Sequence, residues 1–380
     1  MEPTTADITR RLMEAGLKTP DSVTLGITNH CNLNCRHCWP DSGPDNLASM
    51  VPRDRVVKLI RGFSALGAAK FTITGGEPLT HPEWIDLLFF ACGLPEVTEV
   101  RLQTNGILIT PSDLEVFVSL KDRGLIVQMS LEGVTPAVHD RIRGRGSFQK
   151  TLQGLELLLE CGLAAHICIA FTEMQHNFEE LPDLLEMIDS MGIGQLVSGT
   201  LVCDGRARQS DDLKPPVPQQ YEKLIARYQQ DSDFRDRYKR IGNVAALEWA
   251  LAEPDATETC CTLIETPYVT AKGKLYPCVL LQAEKYAATQ VFERPLAVAI
   301  SEKIDSWARL LQISQSRFTD LETCRNCVGY VRCRGGCMGR AYAAHGDFFS
   351  VEDRCFLRKT IYRKRVIQKE MGSVEENDGK

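Results

Sequence analysis

Between residues 22 and 201 the apolar positions switch repeatedly between two periodicities. Short runs rich in β-branched and aromatic residues predict strands at 23–28, 71–74, 99–104, 126–131, 165–171 and 195–201. Between them, apolar residues recur at helical spacing over about 52–67, 82–93, 112–122, 147–161 and 178–191. Val56, Leu59, Ile60 and Phe63 mark the first of these stripes. Pro52 and Pro82 each stand where a helix would start, and their fixed φ suits a first turn. Strand–helix repetition of this kind argues for a parallel sheet with right-handed crossovers. Six repeats are too few for a closed eight-unit barrel. The expected fold is α/β, a partial (β/α)6 TIM-like barrel, with its site at the C-terminal strand ends.

Outside this core the pattern changes. Residues 1–20 form an N-terminal extension, and 21–202 make up the barrel. Residues 203–255 read as a linker and helical bridge: 203–218 are polar and end in Lys214-Pro215-Pro216-Val217-Pro218, and 219–252 are helical in pattern. Residues 256–358 are loop-rich and cysteine-rich, with a hairpin expected around Lys272-Gly273. Such a region needs ligated metal for much of its stability. Residues 359–380 read as a basic C-terminal helix, reaching to about 369, and an acidic tail.

Cysteine usage narrows the chemistry. The chain has 15 cysteines. The N-terminus lacks a basic start and an apolar signal core, so the protein is expected in the cytoplasm. In that reducing compartment clustered cysteines serve as metal ligands or catalytic groups more often than as disulfides. Three sit at 31, 35 and 38, and a larger group lies between 260 and 355. Cys92, Cys161 and Cys168 stand in apolar surroundings as small hydrophobes. Cys203 follows the sixth predicted strand beside Asp204, where a radical donor or base could stand. The formal net charge of -6 argues against a nucleic-acid partner. No apolar run reaches membrane-spanning length.

Cys31, Cys35 and Cys38 give C-x3-C-x2-C directly after the first predicted strand. Three thiolates can hold three irons of a [4Fe–4S] cluster and leave one iron open to a ligand. A three-cysteine zinc site with a histidine is the other reading of the spacing. With His37 before the last cysteine, the motif resembles the radical S-adenosylmethionine (SAM) superfamily. Gly75-Gly76-Glu77-Pro78 closes the second strand and resembles that superfamily's GGEP segment. Its glycines would let backbone approach a ligand, and Glu77 would accept hydrogen bonds from the ligand's ammonium. Thr104-Asn105-Gly106 ends the third strand. Ser130, with Glu132, Gly133, His139-Asp140 and Arg143-Gly144, follows the fourth. By resemblance Ser130 contacts SAM and Arg143 pairs with its carboxylate. Glu132 stands where an aspartate is usual.

The second group reads Cys324-x2-Cys327-x5-Cys333-x3-Cys337, with Cys260, Cys261 and Cys278 upstream and Cys355 downstream. It resembles the SPASM domain, an auxiliary-cluster extension of one radical SAM subfamily. Eight thiolates suffice for two fully ligated clusters. The resemblance assigns Cys260, Cys261, Cys278 and Cys337 to a nearer cluster, and Cys324, Cys327, Cys333 and Cys355 to an outer one. Adjacent side chains such as Cys260 and Cys261 point apart, so an open iron on the nearer cluster is the other possibility.

The resemblance implies three [4Fe–4S] clusters, SAM as co-substrate, and a reductant such as flavodoxin or ferredoxin. It favours a peptide or protein substrate, in maturation of a ribosomally made peptide. The first strand starts near residue 22, which leaves no fused peptide-recognition domain in front, so a separate leader-binding protein or direct capture is expected. A tetrapyrrole side-chain enzyme is the alternative, suggested by Cys35-Arg36-His37-Cys38. A non-enzymatic iron–sulfur carrier is a further one, though it leaves Gly75–Pro78 unexplained.

Overall fold

A computed structural model describes residues 2–47, 49–251 and 261–363. Helix α1 (Thr5–Glu14) occupies the N-terminal extension. Thr4 and Asp7 exchange hydrogen bonds at its start, and Ile8 and Leu12 are fully buried. Strand and helix then alternate: β1 (Ser22–Thr28), α2 (Arg53–Ala65), β2 (Lys70–Gly75), α3 (Trp84–Cys92), β3 (Glu99–Thr104), α4 (Leu114–Leu120) and β4 (Leu125–Ser130). After β4 come α5 (Pro136–Arg143), α6 (Ser147–Glu160), β5 (Ile167–Glu173), α7 (Leu181–Ser190) and β6 (Gln195–Thr200). The periodicity did not predict α5. It buries only His139 and Ile142, too short a stripe to read.

The six strands lie parallel in chain order, the open partial barrel expected. Strand alternation explains what faces where. Val100, Leu102, Leu125, Val127 and Met129 are buried in the core. Gln103, Gln128 and Ser130, on the other face of the same strands, line a cavity. Hence the polar residues of these strands mark the inside of the barrel mouth.

The sheet runs further than six strands. Helices α8 (Pro218–Gln230) and α9 (Ser232–Ile241) lead to β7 (Gly242–Asn243), which pairs parallel with β6 and precedes α10 (Ala245–Leu251). At the other edge β8 (Tyr268–Val269) pairs parallel with β1, Thr24 opposite Tyr268. Strand β9 (Leu275–Tyr276) pairs antiparallel with β8, as the expected hairpin around Lys272-Gly273. A two-residue strand carries no periodicity, so β7 escapes sequence reading, as does the pairing of β8 with β1.

The remaining elements are α11 (Leu296–Ser301), α12 (Ile304–Asp320), α13 (Glu322–Arg325), α14 (Tyr330–Cys333), α15 (Met338–His345) and a helical segment at 355–363. Of the predicted basic helix, 364–369 lie outside the described residues, as does the acidic tail. Arg340 and Arg354, both buried, donate to the carbonyl of Leu201 just past β6. The cysteine-rich region is therefore fastened to both edges of the barrel, through β8 and through these arginines. Among the described residues no helix is long and apolar enough to cross a membrane.

Candidate active site

The C-terminal ends of β1 to β6 surround a cavity of about 530 Å³. Cys31, Cys35 and Cys38 reach it from the loop after β1, Gly75 to Glu77 from β2, and Asn105 from β3. Ser130 lines it from β4, Thr172 from β5, and Gly199 and Thr200 from β6. His37 and Arg143 complete the wall. All the site residues predicted in the first half of the chain thus meet at one cavity, except Pro78. Pro78 is buried at the head of a short turn, Pro78–Thr80, and does not line the cavity.

The glycines after β2 serve a different contact from the one expected. A Cβ on Gly75 would stand 2.1 Å from the Thr28 carbonyl oxygen, and one on Gly76 2.2 Å from that of His30. The amides of Gly76 and Glu77 donate to those same two carbonyls, each at 2.8 Å. The glycines therefore let the loop after β2 press on the base of the cysteine loop. Glu77 is buried and acts as a clasp. It accepts hydrogen bonds from the Thr104 hydroxyl (2.7 Å), the Asn105 amide (2.8 Å) and the Leu79 amide (3.1 Å). Burial outweighs these bonds and pushes its carboxyl up to about 7. Asn105 extends the clasp, its side-chain amide donating to Asn32 Oδ1 at 2.8 Å.

Glu132 resolves the contact left open by its departure from the usual aspartate. It is fully buried, and its Oε1 accepts from Arg143 Nη2 at 2.6 Å and Nε at 3.1 Å. His37 Nε2 lies 3.3 Å from the same oxygen, and the Thr172 amide donates to Oε2 at 2.9 Å. Burial alone would raise the Glu132 carboxyl, but the Arg143 charge and His37 hold it well below the usual carboxylate range. Arg143 also lies 4.0 Å from Cys35 Sγ. The pair presents a fixed cation to the cavity beside the thiols. His139 anchors the turn, its Nδ1 accepting from the Glu132 amide at 3.2 Å.

The thiols suit a cationic multi-iron ligand. Burial, then the negative neighbours Glu77, Cys35 and Cys38, push the Cys31 thiol up to about 12. Burial likewise raises Cys35. Bound metal would offset that cost and favour the thiolates. Among the described residues, no three His, Cys, Asp or Glu side chains converge as single-ion ligands would.

The outer set of the second group also comes together. Cys324, Cys327, Cys333 and Cys355 line one small cavity with Tyr330 and Arg358. Burial pushes Cys333 up to about 12 and raises Cys324 and Cys355. Of the nearer set, Cys260 lies outside the described residues. Cys278 follows β9 and bridges to Thr266, while Cys337 caps α15. A Cβ on Gly339 would come 2.6 Å from the Leu280 carbonyl oxygen, so the start of α15 packs on the loop after Cys278. Cys261 lies just before the turn Leu263–Glu265. Cys203 is half-buried and lines a second cavity of about 760 Å³, not the first. Both cavities share Trp39, Val202, Val279 and Leu280 as walls.

Residues 25–188 match the family model of the Radical SAM superfamily. These residues form a radical SAM domain. The chain is similar to the AdoMet-dependent heme synthase of Methanosarcina barkeri, 27% identical over 364 residues, covering 91% of this chain and 99% of that protein. It is also similar to the mycofactocin maturase MftC of Mycobacterium ulcerans, 28% identical over 87% of this chain and 86% of that one. Among solved structures, anSMEcpe with bound AdoMet and a Cp18Cys peptide shares the fold. Its TM-score is 0.69 at 17% identity, covering 94% of this chain and 99% of that chain. The matched span includes the loop after β1 and the clasp around Glu77. A [4Fe–4S] cluster and SAM belong to this domain.

One turn outside the domain also reaches its cysteine loop and was missed. Gly205 and Arg206, after β6, hydrogen-bond to or press on the carbonyls of Cys35, Cys38 and Trp39. Asp204-Gly205 was the available signal, a turn dipeptide directly after a predicted strand.

Proposed function

We propose that the protein is a radical SAM enzyme that abstracts hydrogen from a peptide or protein, in the maturation of a ribosomally made peptide. The observation that carries this reading is the single cavity shared by Cys31, Cys35, Cys38, Asn105, Ser130 and Arg143. When bound, the cluster and SAM would supply a 5'-deoxyadenosyl radical able to take hydrogen from a C–H bond. The protein's own part is to hold and orient. Cys31, Cys35 and Cys38 would ligate three irons. Arg143, kept charged and fixed by Glu132, would pair with the carboxylate of SAM. Ser130 would contact the same molecule, and Gly75, Gly76 and Glu77 would shape its amino end. His37, against Glu132, would close the loop over the site. The apolar walls Trp39, Val279 and Leu280 would limit water and orient a side chain arriving from the second cavity.

The maturase relative supports the peptide reading. The convergence of Cys324, Cys327, Cys333 and Cys355 supports an outer auxiliary cluster, and Cys260, Cys261, Cys278 and Cys337 complete a nearer one in the SPASM manner. The full reading has three clusters, a barrel at 21–202, a bridge at 203–255 and an auxiliary-cluster region at 256–358. It includes a flavodoxin or ferredoxin reductant, a separate leader-binding protein and a cytoplasmic setting. A second reading, modification of a tetrapyrrole side chain, is favoured by the end-to-end match to the heme synthase. Anaerobic reconstitution with iron, sulfide, SAM and dithionite tests the shared chemistry by release of 5'-deoxyadenosine. Adding candidate precursor peptides or porphyrins then separates the two. A two-dalton loss on a peptide upholds the first reading, and conversion of a porphyrin alone replaces it with the second.

A further inference from the structure

The cysteine loop has little structure of its own. Among its described residues, regular pairing between β1 and α2 is limited to two isolated bridges, Thr28 to Met50 and His30 to Gly43, beside short-range turn bonds such as the Cys38 amide to the Cys35 carbonyl. Yet three thiols must keep one fixed spacing to hold a cluster. The turn after β6 supplies what the loop lacks. Arg206 donates from Nε to the Cys35 carbonyl (2.9 Å), from Nη2 to the Ser42 carbonyl (2.6 Å) and from Nη1 to Asp41 Oδ1 (2.9 Å). Its own amide donates to the Cys38 carbonyl at 3.1 Å. One residue thus binds the loop at Cys35, Cys38, Asp41 and Ser42.

The turn is packed closely against the loop. Gly205 sits at φ +53°, and a Cβ there would lie 2.4 Å from the Trp39 carbonyl oxygen and 2.7 Å from that of Cys38. Asp204 accepts from the Gly205 amide at 2.9 Å and pairs with Arg208 at 3.1 Å. Arg208 in turn donates to the Ala343 carbonyl in α15 at 3.1 Å. The guanidinium of Arg206 is also mostly shielded, its side chain 18% exposed. Its charge therefore stands beside the Cys35 carbonyl in a partly desolvated setting, where it is screened less than in water.

We propose that Arg206 is a positioning residue for the cysteine loop, and that its charge raises the reduction potential of the cluster held there. The inference rests on the reading that Cys31, Cys35 and Cys38 hold a cluster. A positive charge near a metal centre stabilises the added electron. The planar fork spans three acceptors that a lysine cannot reach together. Charge and geometry can therefore be separated by substitution.

The test uses the full-length protein, reconstituted anaerobically with iron and sulfide. The loop cluster is followed by electron paramagnetic resonance, identified by the change in its signal on adding SAM. Arg206→Gln, Arg206→Lys and Arg141→Gln are compared, the last removing an exposed charge paired with Asp212. In Arg206→Gln the midpoint is expected to fall by the equivalent of a tenfold weaker hold on the electron, about 59 mV for a one-electron couple. Arg206→Lys is expected to keep most of the midpoint but to need about tenfold more SAM for the signal change, because the fork is lost. Arg141→Gln should match the parent in both. A selective loss of about four irons in Arg206→Gln, with Arg206→Lys still loaded, also supports the proposal. Parent-like midpoint and SAM response in Arg206→Gln would overturn it. A parent protein with no SAM-responsive signal would instead remove the reading beneath it.

Discussion

Glu132 and Arg143 form a buried ion pair in which one carboxylate oxygen takes two guanidinium hydrogen bonds, at 2.6 and 3.1 Å. The geometry fixes the cation beside the thiol of Cys35, 4.0 Å away. Replacing Glu132 by glutamine leaves Arg143 buried without its counter-charge. Breaking such a pair costs about 3–5 kcal/mol. Glu132→Gln is therefore expected to lower unfolding stability by that order in denaturant titration and to weaken SAM binding. Glu132→Asp keeps the charge and should recover much of the stability. Equal stability of Glu132→Gln and the parent would show that the pair does not carry the load.

Between about pH 6.5 and 4, buried His139 should make acid destabilising, against the opposite contribution of the Glu77 carboxyl, which burial raises to about 7. His139 is buried, and burial and then the Arg143 charge push its imidazole down to about 4 from an ordinary 6.5. The unfolded chain takes up a proton in this window and the folded one does not. The contribution of neutral His139 is whole above about pH 6.5 and is lost as pH falls toward about 4, the loss amounting to roughly 3 kcal/mol at the low end. Glu132, held below its ordinary range, adds stability that disappears only at lower pH. Denaturant titrations between about pH 6.5 and 4 should show His139→Gln losing less stability, relative to its value at neutral pH, than the parent does.

Gly154 gives a case where the usual helix rule reverses. Alanine in place of a mid-helix glycine ordinarily gains about 1 kcal/mol. Here a Cβ would stand 2.1 Å from the Gly106 carbonyl oxygen, in the turn after β3 that carries Asn105. Gly154→Ala is expected to lose roughly 1–3 kcal/mol, as an overpacked contact does. It should also raise the SAM concentration needed for half-saturation, because the Asn105 turn must shift. A gain in melting temperature would refute the close approach of α6.

Iron counting separates the two cysteine groups. Three four-iron clusters imply about twelve irons per chain. Cys324→Ser or Cys355→Ser, at the cavity lined by the outer set, should lower the count by about four. Formation of 5'-deoxyadenosine should persist in these variants and disappear in Cys35→Ser. Unchanged iron in both outer variants would remove the outer cluster from the proposal.

Much of this molecule was legible from its chain. Val56, Leu59, Ile60 and Phe63 revealed the buried face of α2, because burial on one side imposes a 3.6-residue period. The C-x3-C-x2-C spacing and Gly75–Glu77 marked the cavity, because chemistry there depends on residues adjacent in sequence. The role of the glycines was not legible. Their need arises from the carbonyls of Thr28 and His30, which belong to another strand end.

Local pattern thus determined the six core strands, the helices that flank them apart from α5, and which cysteines gather after β1. Only tertiary structure decided that β8 extends the sheet beside β1, that Glu132 holds Arg143, and that Arg206 reaches back across some 170 positions to Cys35. Periodicity and spacing report what a residue does with its chain neighbours. Partners brought together by folding leave no local signature, since either side chain alone reads as an ordinary surface charge.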